Sequence, residues 1–553
     1  MKISNSKCIL PIIIALVLVS ANIKAQAVFE NPQHPIYQYL ARQAQKGRIR
    51  FDDLIQPVSR KQIAILLHQL KDGAKGLTDV EKKELDFYLN DYSEFEDNQQ
   101  DQTKWLFSKD QFGVRRAVTV TKPGFILRAD PAITLENTIG SGGKNVFKQA
   151  SGLVFWGQAG KHFSFQAYFQ DVNEKGKGVD SLKQFTPETG IQRTANLDFR
   201  STAVNYSDVR GNITYSWDNG LISVGKDQVL WGYGQNGRLV MSDKAPSYPF
   251  IRFDYKPLKW LQFNYVFAFL QSALIDSART YKTGTNLYSG TRELYIQKYL
   301  ASHSLTFLPG KGISLSIGES MVSSDYLDAG YLIPILFFKA YDQYQSRYKI
   351  TTGSNGQIFF QASSRNNIPN THLYATLFID EIRLETAFDP ARSRNQLGYN
   401  IGGSVTDVFI PYLTVGAEYT RINPFVYANL IPAQTYASQN YLLGDWIGQN
   451  SDQFLAWLSY NPFPRLTTSA QISHIRKGRN GSVLDQYFAE PQPKFLQQGP
   501  VESQTQFTVS ARYELIHRLY LRGIYQHQTG VIRPALQTNA VPNQITVGVN
   551  YGF

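Results

Sequence analysis

Cysteine is nearly absent from this 553-residue chain: the single one, Cys8, lies in an apolar leader. Once the leader is removed, no disulfide, thiolate metal site or cysteine nucleophile is expected. Charge is also scarce. Asp, Glu, Lys and Arg make up 18% of the chain, below the roughly 25% usual for soluble domains. Long apolar runs are missing too. Beyond the leader nothing approaches the about 18 apolar residues of a membrane helix, and the most apolar later stretch, Tyr331 to Phe338, is short and holds Pro334. Catalytic signatures are lacking as well. The eight histidines (His34, His68, His162, His303, His372, His474, His517, His527) are scattered, with no H-E-x-x-H and no i, i+4 pair. There is no nucleophile elbow, P-loop or dinucleotide fingerprint. The adjacent Asp380 and Glu381 would point to opposite faces of a strand and make a poor acid and base pair. The expectation is a non-enzyme with no cofactor, no metal and no nucleic-acid partner.

What is present begins with a secretory leader. Lys2 and Lys7 precede an apolar run from Ile9 to Val19, and Ala25-Gln26-Ala27 fits a cleavage site, so residues 1–27 read as a signal peptide. The formal charge of +12 becomes +9 once Lys2, Lys7 and Lys24 are removed. Residues 28–100 then show helical periodicity. Ile36, Tyr39 and Leu40 form a stripe; Ser59-Arg60-Lys61-Gln62 and Thr78-Asp79-Val80-Glu81 are capping boxes, followed by Ile63, Leu66, Leu67 and Leu70 and by Leu85, Tyr88 and Leu89. Three short amphipathic helices fit, either as a small periplasmic bundle or as one packed under a barrel mouth.

Residues 101–553 are assigned to a second domain, and from about Val118 onward its period is two. Phe163, Phe165, Ala167 and Phe169 alternate with Ser164, Gln166, Tyr168 and Gln170; Phe507, Val509, Ala511 and Tyr513 alternate with Gln506, Thr508, Ser510 and Arg512. One apolar and one polar face, many times over, with no membrane helix, predicts a closed antiparallel outer-membrane β-barrel with lipid outside. At about 9 to 11 residues per membrane strand, about 16–18 strands are expected. Val549, Tyr551 and Phe553 share the apolar face of the final alternating segment and read as the barrel-closing signal through which the barrel assembly machinery would act. Polar stretches at 140–150, 171–195, 272–290 and 478–505 are expected to be external loops.

The densest unusual segment runs from Gly225 to Gly234, where Trp231 and Tyr233 offer flat faces beside Asp227 and Gln228. Such a group can stack on and hydrogen-bond a sugar; a structural turn inside the barrel is the competing account. Gly225-Lys226 leading to Trp231-Gly232-x-Gly234, Leu239-x-Met241-Ser242, Ala245-Pro246 and Phe250 resembles the signature of the Wzi capsule-assembly family. Tyr37 to Leu40, Pro57-x-Ser59-Arg60-Lys61, Tyr331-x-Ile333-Pro334 and Leu443-Gly444-x-x-Ile447-Gly448-x-Asn450-Ser451-Asp452 resemble it in the same order. The resemblance implies an 18-stranded barrel with a periplasmic helical bundle, no catalysis, and a lectin-like role in holding capsular or extracellular polysaccharide at the cell surface. Trp446 then joins Asp227, Gln228, Trp231 and Tyr233 as a candidate glycan contact, and lipid and lipopolysaccharide of the outer membrane become neighbours. A gliding-motility or adhesion protein and a diffusion porin, with Arg512 and Arg522 in its lumen, are the alternatives.

Overall fold

In the computed structural model, the described residues are 27–73, 76–96, 99–192, 202–285, 290–349, 353–382, 385–389, 393–489, 492–497, 499–532 and 541–552. Residues 1–26 of the expected leader, with Cys8, and Phe553 of the expected closing signal lie outside them.

Eighteen strands close an antiparallel barrel. They are β1 Phe125–Gly140, β2 Val146–Ala159, β3 Phe163–Lys175, β4 Ala203–Trp217, β5 Gly220–Asp227, β6 Tyr248–Leu258, β7 Leu261–Ile275, β8 Tyr295–Phe307 and β9 Ile313–Ser324. The ring continues with β10 Asn355–Arg365, β11 Thr371–Glu381, β12 Gln396–Thr406, β13 Leu413–Ile422, β14 Ser451–Phe463, β15 Leu466–Lys477, β16 Glu502–Ile516, β17 Leu519–Gly530 and β18 Asn543–Tyr551. Alternation appears as expected. In β1, Arg128, Asp130, Thr134 and Glu136 are buried inward while Ile133, Leu135 and Ile139 are exposed outward. Exposed apolar side chains on every second position suit hydrocarbon and not water.

Closure has an unusual seam. The upper part of β1 pairs with β18, from Gln544↔Gly140 to Tyr551↔Ile133. Its lower part, Phe125 to Ala129, pairs with Val118–Lys122, which in turn pairs with Gln102–Trp105. Pro131 lies between the two pairings, where the missing N–H of proline costs no ladder bond.

Short turns join strands at one end of the barrel and long segments join them at the other, which sets the turns in the periplasm and the loops outside. Several strands extend further than expected. β2 begins at Val146 and β3 runs to Lys175, so the first outer connection is 141–145, shorter than the predicted 140–150 loop. His162 is in a periplasmic turn, with Nδ1 2.9 Å from the Ser216 carbonyl oxygen, and not in a strand.

The helices α1 Ile36–Gln45, α2 Arg60–Gly73 and α3 Asp79–Asp91 form, and the Thr78–Glu81 capping box is complete. Their stripes bury on one another through Ile36, Leu40, Ile63, Leu67 and Leu85. The bundle sits across the periplasmic mouth. Arg42 and Lys46 bind Asp407 in the β12–β13 turn, Tyr412 donates to Glu84, and Arg365 reaches Asp53 at 2.7 Å.

Candidate functional site

The centre of the periplasmic contact is ionic. Arg60 is held by Glu30, Glu94 and the Asp91 carbonyl; Arg116 binds Asp91 and Asp130; Arg518 binds Glu30 at 3.2 Å. All three guanidiniums stand over the Trp156 ring, at 5.2, 4.7 and 4.4 Å from its centroid. Burial pushes the Glu30 carboxyl up, but Arg518 and Arg60 outweigh it and hold it at about 2. Glu30, His34 and Asp91 have ligand atoms close enough to hold a metal. The guanidiniums already supply the positive charge such a cluster needs, so the group is structural.

From the opposite end, residues 228–247 and 423–450 descend into the lumen and pack on each other. Leu230–Trp231 pairs with Ile55–Gln56 of the bundle, and the Gly232 N–H donates to Leu54 O at 2.8 Å. Gly232 has φ +113°, and a Cβ there would lie 2.7 Å from Gln361 Nε2, so this descent requires glycine. The two loops are joined by Tyr427 Oη donating to Leu239 O (2.7 Å), Tyr436 Oη to Val240 O (2.9 Å) and Ser242 Oγ to Gly444 O (2.6 Å). Burial pushes the Asp445 carboxyl up to about 7, against the Ile447 N–H that it accepts.

The sequence-predicted residues lie in and around this plug. Trp231 is 0% exposed and packs edge-on to Phe359. Tyr233 is buried near His372 and Tyr374, on the wall of an internal chamber of about 420 Å³ that Arg512 and Arg522 also face. Gln228 donates to Asp243 O and Ala245 O, Asp227 accepts the Gln228 N–H, and Trp446 Nε1 donates to Asn236 O at 2.7 Å. Asp380 and Glu381 are held apart, the first by Gln357 and the Tyr427 N–H, the second by Gln486.

A site that sequence reasoning missed opens at the outer end. A cleft of about 520 Å³ lies between the β11–β12, β13–β14 and β15–β16 loops, with Arg394, Arg421, Asn423, Gln486, Lys494 and Phe495 in its wall. The Arg421 guanidinium lies 3.8 Å from the Phe495 centroid, and its Nε donates to Asn423 Oδ1 at 3.1 Å. Asn395 Oδ1 and Gln486 Oε1, also from lining residues, find no donor among the described residues. Amides suit sugar hydroxyls, an aromatic face suits a sugar ring, and a guanidinium suits a carboxylate. These residues come from distant segments; the one sequence signal was the loop assignment of 478–505.

The fold and its two stoppers define the class: an outer-membrane β-barrel whose lumen is occupied from both ends, located in the cell outer membrane. Residues 364–538 match the family model described as capsule assembly protein Wzi, in agreement with the resemblance in the sequence. Among solved structures the chain is similar to Wzi of Escherichia coli, described as an outer membrane protein involved in group 1 capsule assembly and a carbohydrate binding beta-barrel. The identity is 13%, the match covers 96% of this chain and 100% of that one, and the TM-score is 0.57. Weaker likenesses are to opdK of Pseudomonas aeruginosa (10% identity, 77% of this chain and 98% of that one, TM-score 0.42) and OccAB1 of Acinetobacter baumannii (10%, 76% and 96%, TM-score 0.42). No curated protein matches the chain.

Proposed function

We propose that this barrel holds capsular or extracellular polysaccharide at the cell surface in a lectin-like manner, with no catalysis, and that the outer cleft is its glycan contact. The observation that carries this reading is the cleft itself. It combines a stacked Arg421–Phe495 pair, amide side chains and the further cations Arg394 and Lys494, with no acid in its wall among the described residues. An acidic glycan is the matching ligand. Gln228 and Trp446 tie the plug loops through Asp243 O, Ala245 O and Asn236 O, Trp231 fills their core, Tyr233 lines the internal chamber and Asp227 ends β5, while the loop of Trp446 carries Asn423 and Phe425 of the cleft wall. A lumen filled by residues 228–247 and 423–450 supports retention over diffusion and weakens the porin alternative. Outer-membrane lipid and lipopolysaccharide surround the wall, and β18 with Val549 and Tyr551 is the segment proposed to engage the barrel assembly machinery.

The test compares cell-bound and released polysaccharide in a deletion strain complemented with the wild type, with R421A and with F495A. Release at unchanged total synthesis, uncorrected by the two variants, is expected. Retention unchanged by the deletion, with altered attachment or spreading, would move the protein to the motility and adhesion alternative. Binding of an acidic glycan should also fall with added salt, since exposed charges are screened over about 8 Å at physiological ionic strength.

A further inference from the structure

On β7, β8 and β9 the barrel wall has an apolar core on both faces. Val266, Ala268, Leu300 and Val322 belong to the luminal core. Their neighbours Tyr265, Phe267, Tyr299, Ala301 and Met321 point the other way and are nevertheless buried. The cover is the segment 325–349 between β9 and β10, which doubles back over the outside of the barrel and seats Tyr331 and Phe338 on this wall. It ends in the helix α4, Phe338–Lys349.

The same wall carries two residues that do not suit lipid. His303 is in phase with the exposed Leu305 and Phe307, and Glu319 with the exposed Leu315 and Ile317. Ionisable groups in the hydrocarbon zone are costly and mark a purpose. Here the purpose is the backbone of the segment. His303 Nδ1 lies 2.8 Å from Pro334 O, which can only accept. The Glu319 carboxylate accepts the N–H groups of Phe338 (2.6 Å) and Lys339 (3.1 Å) and lies 3.0 Å from His303 Nε2. Tyr265 Oη donates to Tyr331 O at 2.8 Å. Within the turn, Ile333 N–H donates to Gly330 O and Leu336 N–H to Ile333 O.

Irregular backbone does not survive against lipid unless its polar groups are satisfied by protein, and this segment meets that condition from the wall beneath it. Its outward side is apolar: Ile335 is 83% exposed and Phe337 58%, beside exposed Leu327 and Ile333. This surface continues the exposed belt of Leu305, Phe307, Leu315, Ile317 and Phe360. We propose that residues 325–349 form a bilayer-seated flap whose tip, 333–337, packs among the acyl chains of outer-membrane lipid. At the mouth, Asn355, the first residue of β10, donates its Nδ2 to Gln434 O of the luminal plug at 2.9 Å.

The experiment places one cysteine at the tip of the mature chain, I335C and separately F337C, with I317C as a belt control and S482C as a loop control. Each is labelled with a small environment-sensitive fluorophore and reconstituted in phosphatidylcholine vesicles, with folding checked by heat-modifiable gel mobility. Brominated phosphatidylcholine should quench both tip labels at least two-fold more than the loop label, as it does the belt label, and aqueous iodide should act on the loop label alone. Iodide quenching of the tip without bromolipid quenching would overturn the proposal. So would protection from both quenchers, which would make the tip an interface with a second copy.

Discussion

The periplasmic stopper and the outer stopper meet in the same lumen and are built from different chemistry. Around Trp156 the bundle is held by Arg60, Arg116 and Arg518 against Glu30, Asp91, Glu94 and Asp130. Around Trp231 the loops are held by apolar burial and by hydroxyl groups on carbonyl oxygens. Buried ion pairs fix one orientation and tolerate no single deletion, because the remaining charge is stranded. Apolar packing with neutral hydrogen bonds yields in smaller steps. The bundle should therefore behave as an all-or-none attachment, and the plug as a graded one.

The sharpest way to break this contrast is R60M. It strands Glu94, leaves Glu30 with Arg518 as its one remaining cation and should cost about 3–5 kcal/mol, read as protease cleavage within residues 28–95 while the barrel keeps its heat-modifiable mobility. Unchanged protection would show that the ion cluster does not hold the bundle. W231A comes next. Emptying the fully buried indole site should cost about 3–4 kcal/mol and raise single-channel conductance in planar bilayers, with the bundle still protected; a silent channel would count against the plug as the outer stopper.

Acid and base should separate the two stoppers. Glu30, held at about 2 against an ordinary 4.5, contributes fully above pH 4.5 and loses its contribution as pH falls toward 2. Asp445 has the opposite sign: raised from 3.8 to about 7, it is accommodated at low pH and its burial becomes costly as pH rises from 3.8 to 7. Between pH 7 and pH 3, hydrogen-exchange protection factors, corrected for the pH dependence of the intrinsic rate, should fall in 28–95 and rise or hold in 423–450. Parallel changes in both regions would refute the assignment. The smallest effect is expected of Y436F, which removes the bond to Val240 O and should cost about 1 kcal/mol, measured as local exchange in 228–247.

Much of the barrel was legible because each strand has one face in lipid, which writes period two into the sequence. The helices were legible through their stripes and the Thr78–Glu81 box. The pairing of Trp231 with Ile55 was not, since a two-residue bridge between distant segments leaves no periodicity. Trp231 and Tyr233 stood out by type, yet whether they faced solvent or the interior depended on Leu443, Tyr436 and Phe359, all remote in the chain. The flap leaves a trace in the sequence. Leu261, Phe263, Tyr265 and Phe267 alternate with Gln262 and Asn264, but from Tyr265 to Leu270 the run is unbroken apolar, as a wall covered on both faces requires. Arg421 and Phe495 gave no joint signal, because the cleft exists only where three loops converge.

The divided pairing of β1 has a consequence for biogenesis. The ring is sealed by eight residue pairs between β18 and the upper part of β1, and the five pairs below are made instead with Val118–Lys122. A nascent barrel in which that hairpin has not yet docked presents an open strand edge at the foot of its own seam, a template for any passing chain. The hairpin that follows the bundle covers this edge, so the seam is completed by a segment from outside the ring of eighteen strands.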